Sequence, residues 1–391
     1  MFQIRVYDQI ASIGLDHFKH DNYEVASSLS NPDAIILRSS ALHNEPLIAS
    51  VKGVARAGAG VNNIPIDKYS EQGVVVFNTP GANANAVKEL VLSAMLLCAR
   101  GTFAGITHCR GLTDVCDSDM GEALEQSKKQ FKGREIAGKT LGVIGLGAIG
   151  ANVANMGIDL GMHVVGFDPA ISIEAAWRLS SKIEKMENLA SLMSRCDYIS
   201  LHVPSVTATN NMINHDVLTH LKDGACLLNF ARGEICDAKA IITALDTGKL
   251  HRFATDFPTT EMLLRDDVLP MPHLGASTSE AEDNCAVMAC QQLIEFLENG
   301  NIKNSVNFPA INLERSTHFR ITFANKNVPG VLGNVLSILA DRNINVADML
   351  NKSRNNIAYN IIDLESESSD ELVQAISQVE HVISVRALQS L

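Results

Sequence analysis

The eight cysteines include no Cys-x-x-Cys pair, and the chain has no fixed-period repeat and no low-complexity tract. Scattered cysteines argue against a zinc site or a disulfide framework, so reduced thiols and no metal are expected. The longest uncharged run, Thr140 to Ile158, is rich in Gly and Asn, which argues against a membrane span. The first ten residues, MFQIRVYDQI, lack the basic start and apolar run of a secretory signal, so a cytoplasmic chain is expected. Positive charge is also in short supply. Lys and Arg number 32 against 44 Asp and Glu, a net charge of −12. That balance disfavours nucleic acid and anionic membrane as partners. An anionic substrate would therefore need locally placed Arg or Lys. With 391 residues, 46% of them apolar, the chain is long enough for two or three domains.

One stretch organises the rest: GKTLGVIGLGAIGANVANMGIDLGMHVVGFD, from Gly138 to Asp168. Thr140 to Gly145 reads as a short buried strand. Gly145, Gly147 and Gly150 follow at G-x-G-x-x-G spacing. Ile149, Val153, Met156 and Leu160 then recur at helical spacing, and His163 to Phe167 reads as a second strand ending on Asp168. Such glycines make a tight turn, admit a pyrophosphate to the backbone and let helix pack on strand. A helix opening at Ala148 and Ile149 would present free N–H groups and a positive dipole end to the phosphates. Asp168 stands ~20 residues on, where a carboxylate binds the adenosine ribose. It would repel a 2′-phosphate, and Pro169 to Ser172 offer no cation, so NAD is expected rather than NADP.

The 137 residues before Gly138 carry a βα pattern of their own. Ile4 to Tyr7, Ala34 to Leu37, Gly53 to Ala57 and Val74 to Phe77 are predicted strands, and Val87 to Ala99 is a strongly apolar helix. The charged segment Cys109 to Arg134 reads as a surface excursion. After Asp168, strands are predicted at Asp197 to His202, Ala225 to Asn229, Arg252 to Asp256 and Asp267 to His273. Glu280 to Leu297 is a long amphipathic helix, and a Pro-containing linker, Asn304 to Arg315, follows. The remainder reads β-α-β-β-α-β from His318 to Leu388, the ferredoxin-like order. The predicted class is α/β, with two doubly wound parallel-sheet domains and a C-terminal ferredoxin-like domain. The expected domains are 1–95 with 280–312, then 96–279, then 316–391.

Three ionisable residues stand at strand ends after the glycine motif: Arg232 in NFARGE, Glu261 in DFPTTE and His273 in MPHLGAS. A guanidinium fork suits a carboxylate. Histidine suits proton transfer at neutral pH. A glutamate beside it would fix its tautomer and favour its charged form. With a nicotinamide cofactor, the set implies hydride transfer at a hydroxyl-bearing carbon next to a carboxylate.

With GKTLGVIGLGAIG, the HVP of His202, Val203 and Pro204, NFARGE and PHLGAST, the sequence resembles the D-isomer-specific 2-hydroxyacid dehydrogenases over roughly Ile35 to Pro309. The resemblance implies that Arg232 binds the substrate carboxylate, His273 is the acid/base and Glu261 its partner. It implies cofactor contacts at the three glycines and at Ala148, Ile149, Asp168, His202, Val203, Pro204, Ala231, Asp256 and Gly275. Asp256 would meet the nicotinamide amide. It also implies that the nucleotide domain sits in mid-chain, with the N-terminal unit and the Glu280–Leu297 helix forming the other domain.

Within that family, ILRSS and ARAGAGVNNI resemble substrate loops that place Arg38, Ser39, Arg56 and Gly58 at a phosphorylated 2-hydroxy acid. NKNVPGVLGNVLSILADRNINV resembles the start of an ACT regulatory domain, which implies an L-serine effector contacted by Asn327 and Asn345, and a homo-dimer or homo-tetramer. Asn325 departs from the His common in serine-binding relatives. Other departures are AGAG at Ala57 to Gly60, where a Thr is frequent, and Ala148, where a basic residue is frequent. Two rival functions stand: a reductase of an unphosphorylated 2-oxo acid, and a non-enzymatic NAD-sensing interaction protein.

Overall fold

The computed structural model describes residues 1–389, apart from the Glu174 side chain. The chain divides into two compact units, Met1–Ala82 with Ser279–Leu391, and Asn83–Thr278. The division falls before the apolar helix Ala84–Ala99, not at the expected residue 95. That helix packs on the helix Ala148–Asp159 and on the sheet of the second unit.

The first unit opens with β1 (Phe2–Val6), β2 (Tyr23–Ala26), β3 (Ala34–Leu37), β4 (Gly53–Arg56) and β5 (Val75–Phe77). All are parallel, in the order β2-β1-β3-β4-β5. The central strands are continuous apolar runs because helices and loops cover both faces; Ala34–Leu37 is wholly buried. β2 escaped prediction because YEVA is a four-residue edge strand with one buried residue, too short and too polar to stand out as a buried apolar run. The helix Ser279–Asn299 packs along β4, with Leu293 and Phe296 close against Gly53. A Cβ on Gly53 would lie 3.2 Å from the Phe296 ring, so even alanine there would require the ring to give way by a few tenths of an ångström.

The second unit holds β6 (Thr140–Ile144), β7 (His163–Phe167), β8 (Glu184–Lys185), β9 (Tyr198–Leu201), β10 (Ala225–Asn229), β11 (Leu250–Thr255) and β12 (Val268–Pro270). These form one parallel sheet in the order β12-β11-β10-β9-β6-β7-β8. Strand order reverses at β6, between β9 and β7, and ligands bind outside the carboxyl ends of strands at such a switch point. The glycine motif begins there. The Cys109–Arg134 segment contains the helix Asp117–Ser127 and is largely exposed, as a charged excursion should be.

β13 (Phe319–Lys326), β14 (Val346–Arg354), β15 (Ile357–Leu364) and β16 (Val382–Gln389) form an antiparallel sheet, order β14-β15-β13-β16. With the helices Val331–Asp341 and Asp370–Ser377 this is the predicted ferredoxin-like unit. One face of the sheet packs on these helices through Ile321, Phe323, Ile362 and Leu364. The other face, Ala324, Tyr359 and Ile361, joins the core that holds Phe77, Phe296 and Phe308.

The expected linker is therefore not a free tether. Asn307 is buried: its side-chain oxygen accepts from Val76 N at 2.8 Å and its amide donates to Val74 O at 2.9 Å. Buried Arg320 forms a bidentate pair with Asp363 and also donates to the carbonyls of Asn299 and Leu313. Arg386 caps the helix Ser279–Asn299 by donating to Phe296 O and to Leu297 O at 2.7 Å, with its guanidinium over the Phe296 ring. These side chains satisfy carbonyls that a helix end leaves unpaired.

Candidate active site

Gly145 follows β6 with φ +88°, a conformation that favours glycine. A Cβ there would lie 2.5 Å from His202 O. A Cβ on Gly150 would lie 1.8 Å from Gly145 O, so helix and strand touch as the third glycine of the motif demands. Gly147, by contrast, faces open space, with nothing within 4 Å of the Cβ position. It is the N-cap of the helix Ala148–Asp159. The backbone N–H groups of Ala148 and Ile149 thus start a twelve-residue helix beside an unobstructed backbone, an arrangement that accepts a pyrophosphate.

Asp168 directly follows β7 and works on the backbone as well. One carboxylate oxygen accepts from Leu146 N at 2.8 Å, the other from Ala170 N at 2.9 Å. It fixes the glycine turn from the side where a ribose would lie. His202 accompanies β9, its Nε2 2.8 Å from Ser200 Oγ, and burial pushes its pKa down to about 3, so it stays neutral. Val203 borders Gly145, while the carbonyl of Pro204 accepts from Thr209 Oγ1.

Sequence reasoning missed Asn229, the last residue of β10. It is buried; its amide donates to Arg232 O at 2.8 Å, and its oxygen accepts from Ala231 N at 3.2 Å. It shapes the turn that presents Arg232. The Arg232 guanidinium donates to Ala231 O at 2.6 Å, which leaves further N–H groups for a carboxylate.

Asp256, buried just past β11, accepts from Leu274 N at 3.0 Å and from Gly275 N at 2.8 Å. This carboxylate pins the loop that carries His273. His273 itself is exposed, has φ +56°, and lies with its ring 4.8 Å from that of Phe257. Glu261 is exposed on the short 3₁₀ turn Thr260–Met262. Among the described residues no hydrogen bond or ion pair joins Glu261 to His273. The expected pair is not assembled in this conformation; both residues sit on loops whose backbones are fixed by other partners.

In the first unit, Asp8 holds the substrate-loop candidate. It has φ +67°, and its carboxylate accepts from the backbone N–H of Arg38 (2.9 Å), Ser39 (2.9 Å) and Ser40 (3.0 Å) and from the Ser40 hydroxyl (2.6 Å). Burial works to raise its pKa, but these hydrogen bonds, led by the Ser40 hydroxyl, hold it below the ordinary carboxylate value. The Arg38 side chain pairs with Glu282 at 2.8 Å. Arg56 Nε donates to Arg38 O at 3.0 Å, and its guanidinium lies over Gly58, where a Cβ would come 2.5 Å from Nη1.

Residues 103–277 match the model of the D-isomer specific 2-hydroxyacid dehydrogenase NAD binding domain. A D-3-phosphoglycerate dehydrogenase of Haemophilus influenzae is 30% identical, over 96% of this chain and 91% of that protein. The chain belongs to the D-isomer-specific 2-hydroxyacid dehydrogenases. NAD is therefore the cofactor of its second unit, as the glycine motif and Asp168 predict. Another dehydrogenase so related is the D-3-phosphoglycerate dehydrogenase of Escherichia coli, 30% identical over 94% of this chain and 90% of its own. Among solved structures, the NAD+-bound 3-phosphoglycerate dehydrogenase of Entamoeba histolytica is similar with a TM-score of 0.61 and 26% identity, covering 78% of this chain and 99% of that one.

Proposed function

We propose that the protein is an NAD-dependent D-3-phosphoglycerate dehydrogenase that oxidises its substrate to 3-phosphohydroxypyruvate, the first step of L-serine synthesis, in the cytoplasm. The observation that carries this reading is the relationship to enzymes of that name over nearly the whole chain, including the ferredoxin-like unit.

In this reading Met1–Ala82 with the helix Ser279–Asn299 binds substrate, Asn83–Thr278 binds NAD, and the ferredoxin-like unit is a regulatory ACT domain. Bound NAD supplies the hydride acceptor. Arg232 holds the substrate carboxylate in its fork, and its fixed plane orients the hydroxyl-bearing carbon. His273 takes the hydroxyl proton as the carbon–hydrogen bond breaks. Glu261 serves as the partner that steadies the resulting imidazolium. Arg38 and Arg56 take the phosphate. The Arg38–Glu282 pair is half-exposed, and exposed pairs contribute roughly 0–1 kcal/mol. A doubly charged phosphate therefore displaces Glu282 at little cost.

The proposed effector is L-serine, at Asn327 and Asn345 of a homo-oligomer. Both asparagines are exposed, and the Asn327 amide is lightly engaged, donating to Asn355 O at 3.3 Å. The test is an NADH-formation assay over phosphorylated and unphosphorylated 2-hydroxy acids, with and without serine. A higher kcat/KM for an unphosphorylated acid would replace the substrate assignment. No turnover of any acid would favour a non-enzymatic NAD sensor.

A further inference from the structure

The glycine motif uses the carboxyl ends of the second unit's strands. A cavity of about 500 Å³ lies at the opposite, amino ends of the same strands. Lys139 precedes β6, Asp197 precedes β9, Lys222 to Gly224 precede β10, and Arg252 stands near the start of β11. Strands of five residues separate the two ends by ~16 Å.

The wall is cationic in an acidic protein. Arg100, Lys132, Arg134, Lys139, Lys222 and Arg252 line it, against two acids, Asp197 and Asp223. Both acids are already matched: Asp197 by Lys222 at 2.6 Å and by Thr140 N, Asp223 by Lys249 at 2.8 Å. The side chains of Arg100, Lys132, Arg134 and Lys139 make no hydrogen bond or ion pair among the described residues. Tyr198, 5% exposed, also lines the cavity, and its hydroxyl has no hydrogen-bond partner among the described residues. Burial first, then the charges of Arg252 and Arg134, lower the pKa of His251 at the same wall.

The rim is built rather than incidental. The return segment runs so close that a Cβ on Gly133 would lie 2.5 Å from Ala99 O, and one on Gly101 would lie 2.9 Å from Phe131 O. Arg134 N donates to Ala99 O at 2.8 Å, so the backbone brings Arg134 to the same rim as Arg100. Like charges held together by the backbone repel one another unless an anion intervenes.

We propose that this cavity is a second anion site, separate from the dinucleotide and substrate sites, that binds a multiply charged phosphate. Guanidinium forks and a phenol hydroxyl suit phosphate oxygens, and the excess of four cations over acids calls for more than a singly charged ion. Inorganic polyphosphates and phosphorylated metabolites share this chemistry.

The test uses the full-length protein saturated with NADH, so that the glycine motif is occupied. Isothermal titration with inorganic pyrophosphate should show a site at this cavity in addition to any binding at Arg38 and Arg56. A hexose bisphosphate arm distinguishes the two sources by which binds more tightly, and either result supports the site. Arg134→Glu with Lys139→Glu should weaken binding by about tenfold or more. Both positions are at the surface or half-buried, and unchanged NADH affinity will verify folding. Arg38→Ala, which disables the proposed substrate-phosphate site, should leave binding at this cavity in place. Absence of binding, equal binding by citrate, or loss in Arg38→Ala with retention in the double variant would each overturn the proposal.

Discussion

Asp256 accepts hydrogen bonds from the two backbone N–H groups that follow His273, those of Leu274 and Gly275. The acid at the end of β11 thus determines where the proposed acid/base stands. Asp256→Asn keeps one acceptor oxygen but turns an NH₂ towards the other N–H. An unsatisfied buried group costs about 1–3 kcal/mol. The variant should lose kcat by at least about tenfold in an NADH-formation assay, from misplacement of His273. His273→Ala should fall further, by ~10²–10⁴ in kcat, the usual value of a lost general acid or base. A His273 variant with near-normal kcat would remove it from the mechanism.

Much of this site was legible before the structure. Gly145, Gly147 and Gly150 announced themselves because each spacing has a steric reason, and the structure supplies the distances. Asn229 and Asp8 were not legible. Each acts through backbone N–H groups or carbonyls brought near by loop conformation, and no local pattern encodes that. The same holds for Arg320, which is buried against Asp363, 43 positions away.

Arg232 and Arg38 should separate kinetically. Arg232→Lys keeps charge but loses the planar fork, and the loss of a charge-assisted pair costs roughly 2–5 kcal/mol. Every 2-hydroxy acid should suffer equally. Arg38→Ala should raise KM for phosphorylated substrates selectively. Glu282→Gln frees Arg38 from its 2.8 Å partner and should lower that KM. Parallel losses across both substrate classes in the Arg38 variant would remove it from the phosphate.

Asp168 has two tasks, and its variants should show both. Asp168→Ala removes the carboxylate that would repel a 2′-phosphate, so the ratio of kcat/KM for NAD over NADP should fall. It also frees Leu146 N and Ala170 N, so NADH affinity should drop as the glycine turn loosens. An unchanged cofactor ratio with lowered NADH affinity would leave Asp168 as a backbone support alone.

Regulation is best tested by point substitution, because the ferredoxin-like unit is packed into the first unit's core. A C-terminal domain on a free linker would let truncation after Arg315 leave an active, serine-insensitive enzyme. The structure predicts otherwise. Truncation removes Arg386 from the carbonyls of Phe296 and Leu297, and Arg320 from that of Asn299. It also uncovers Phe296 and Phe308, now 2% and 0% exposed, in the cluster they share with Ala324, Tyr359 and Ile361. Full burial of such a side chain contributes about 1.5–3 kcal/mol, a large part of a domain's net stability of about 5–15 kcal/mol. The truncated chain should aggregate or melt well below the full-length protein in a thermal scan. Asn345→Ala touches none of this packing, since Asn345 is exposed. It should keep kcat and melting temperature while losing serine inhibition. Serine must favour one conformational state over another to inhibit at all. The direct packing of the ferredoxin-like sheet on the core around Phe77 and Phe296 is the physical path by which such a preference would reach the substrate loops. A truncated chain as stable as the full-length one would break that path, whatever Asn345→Ala does.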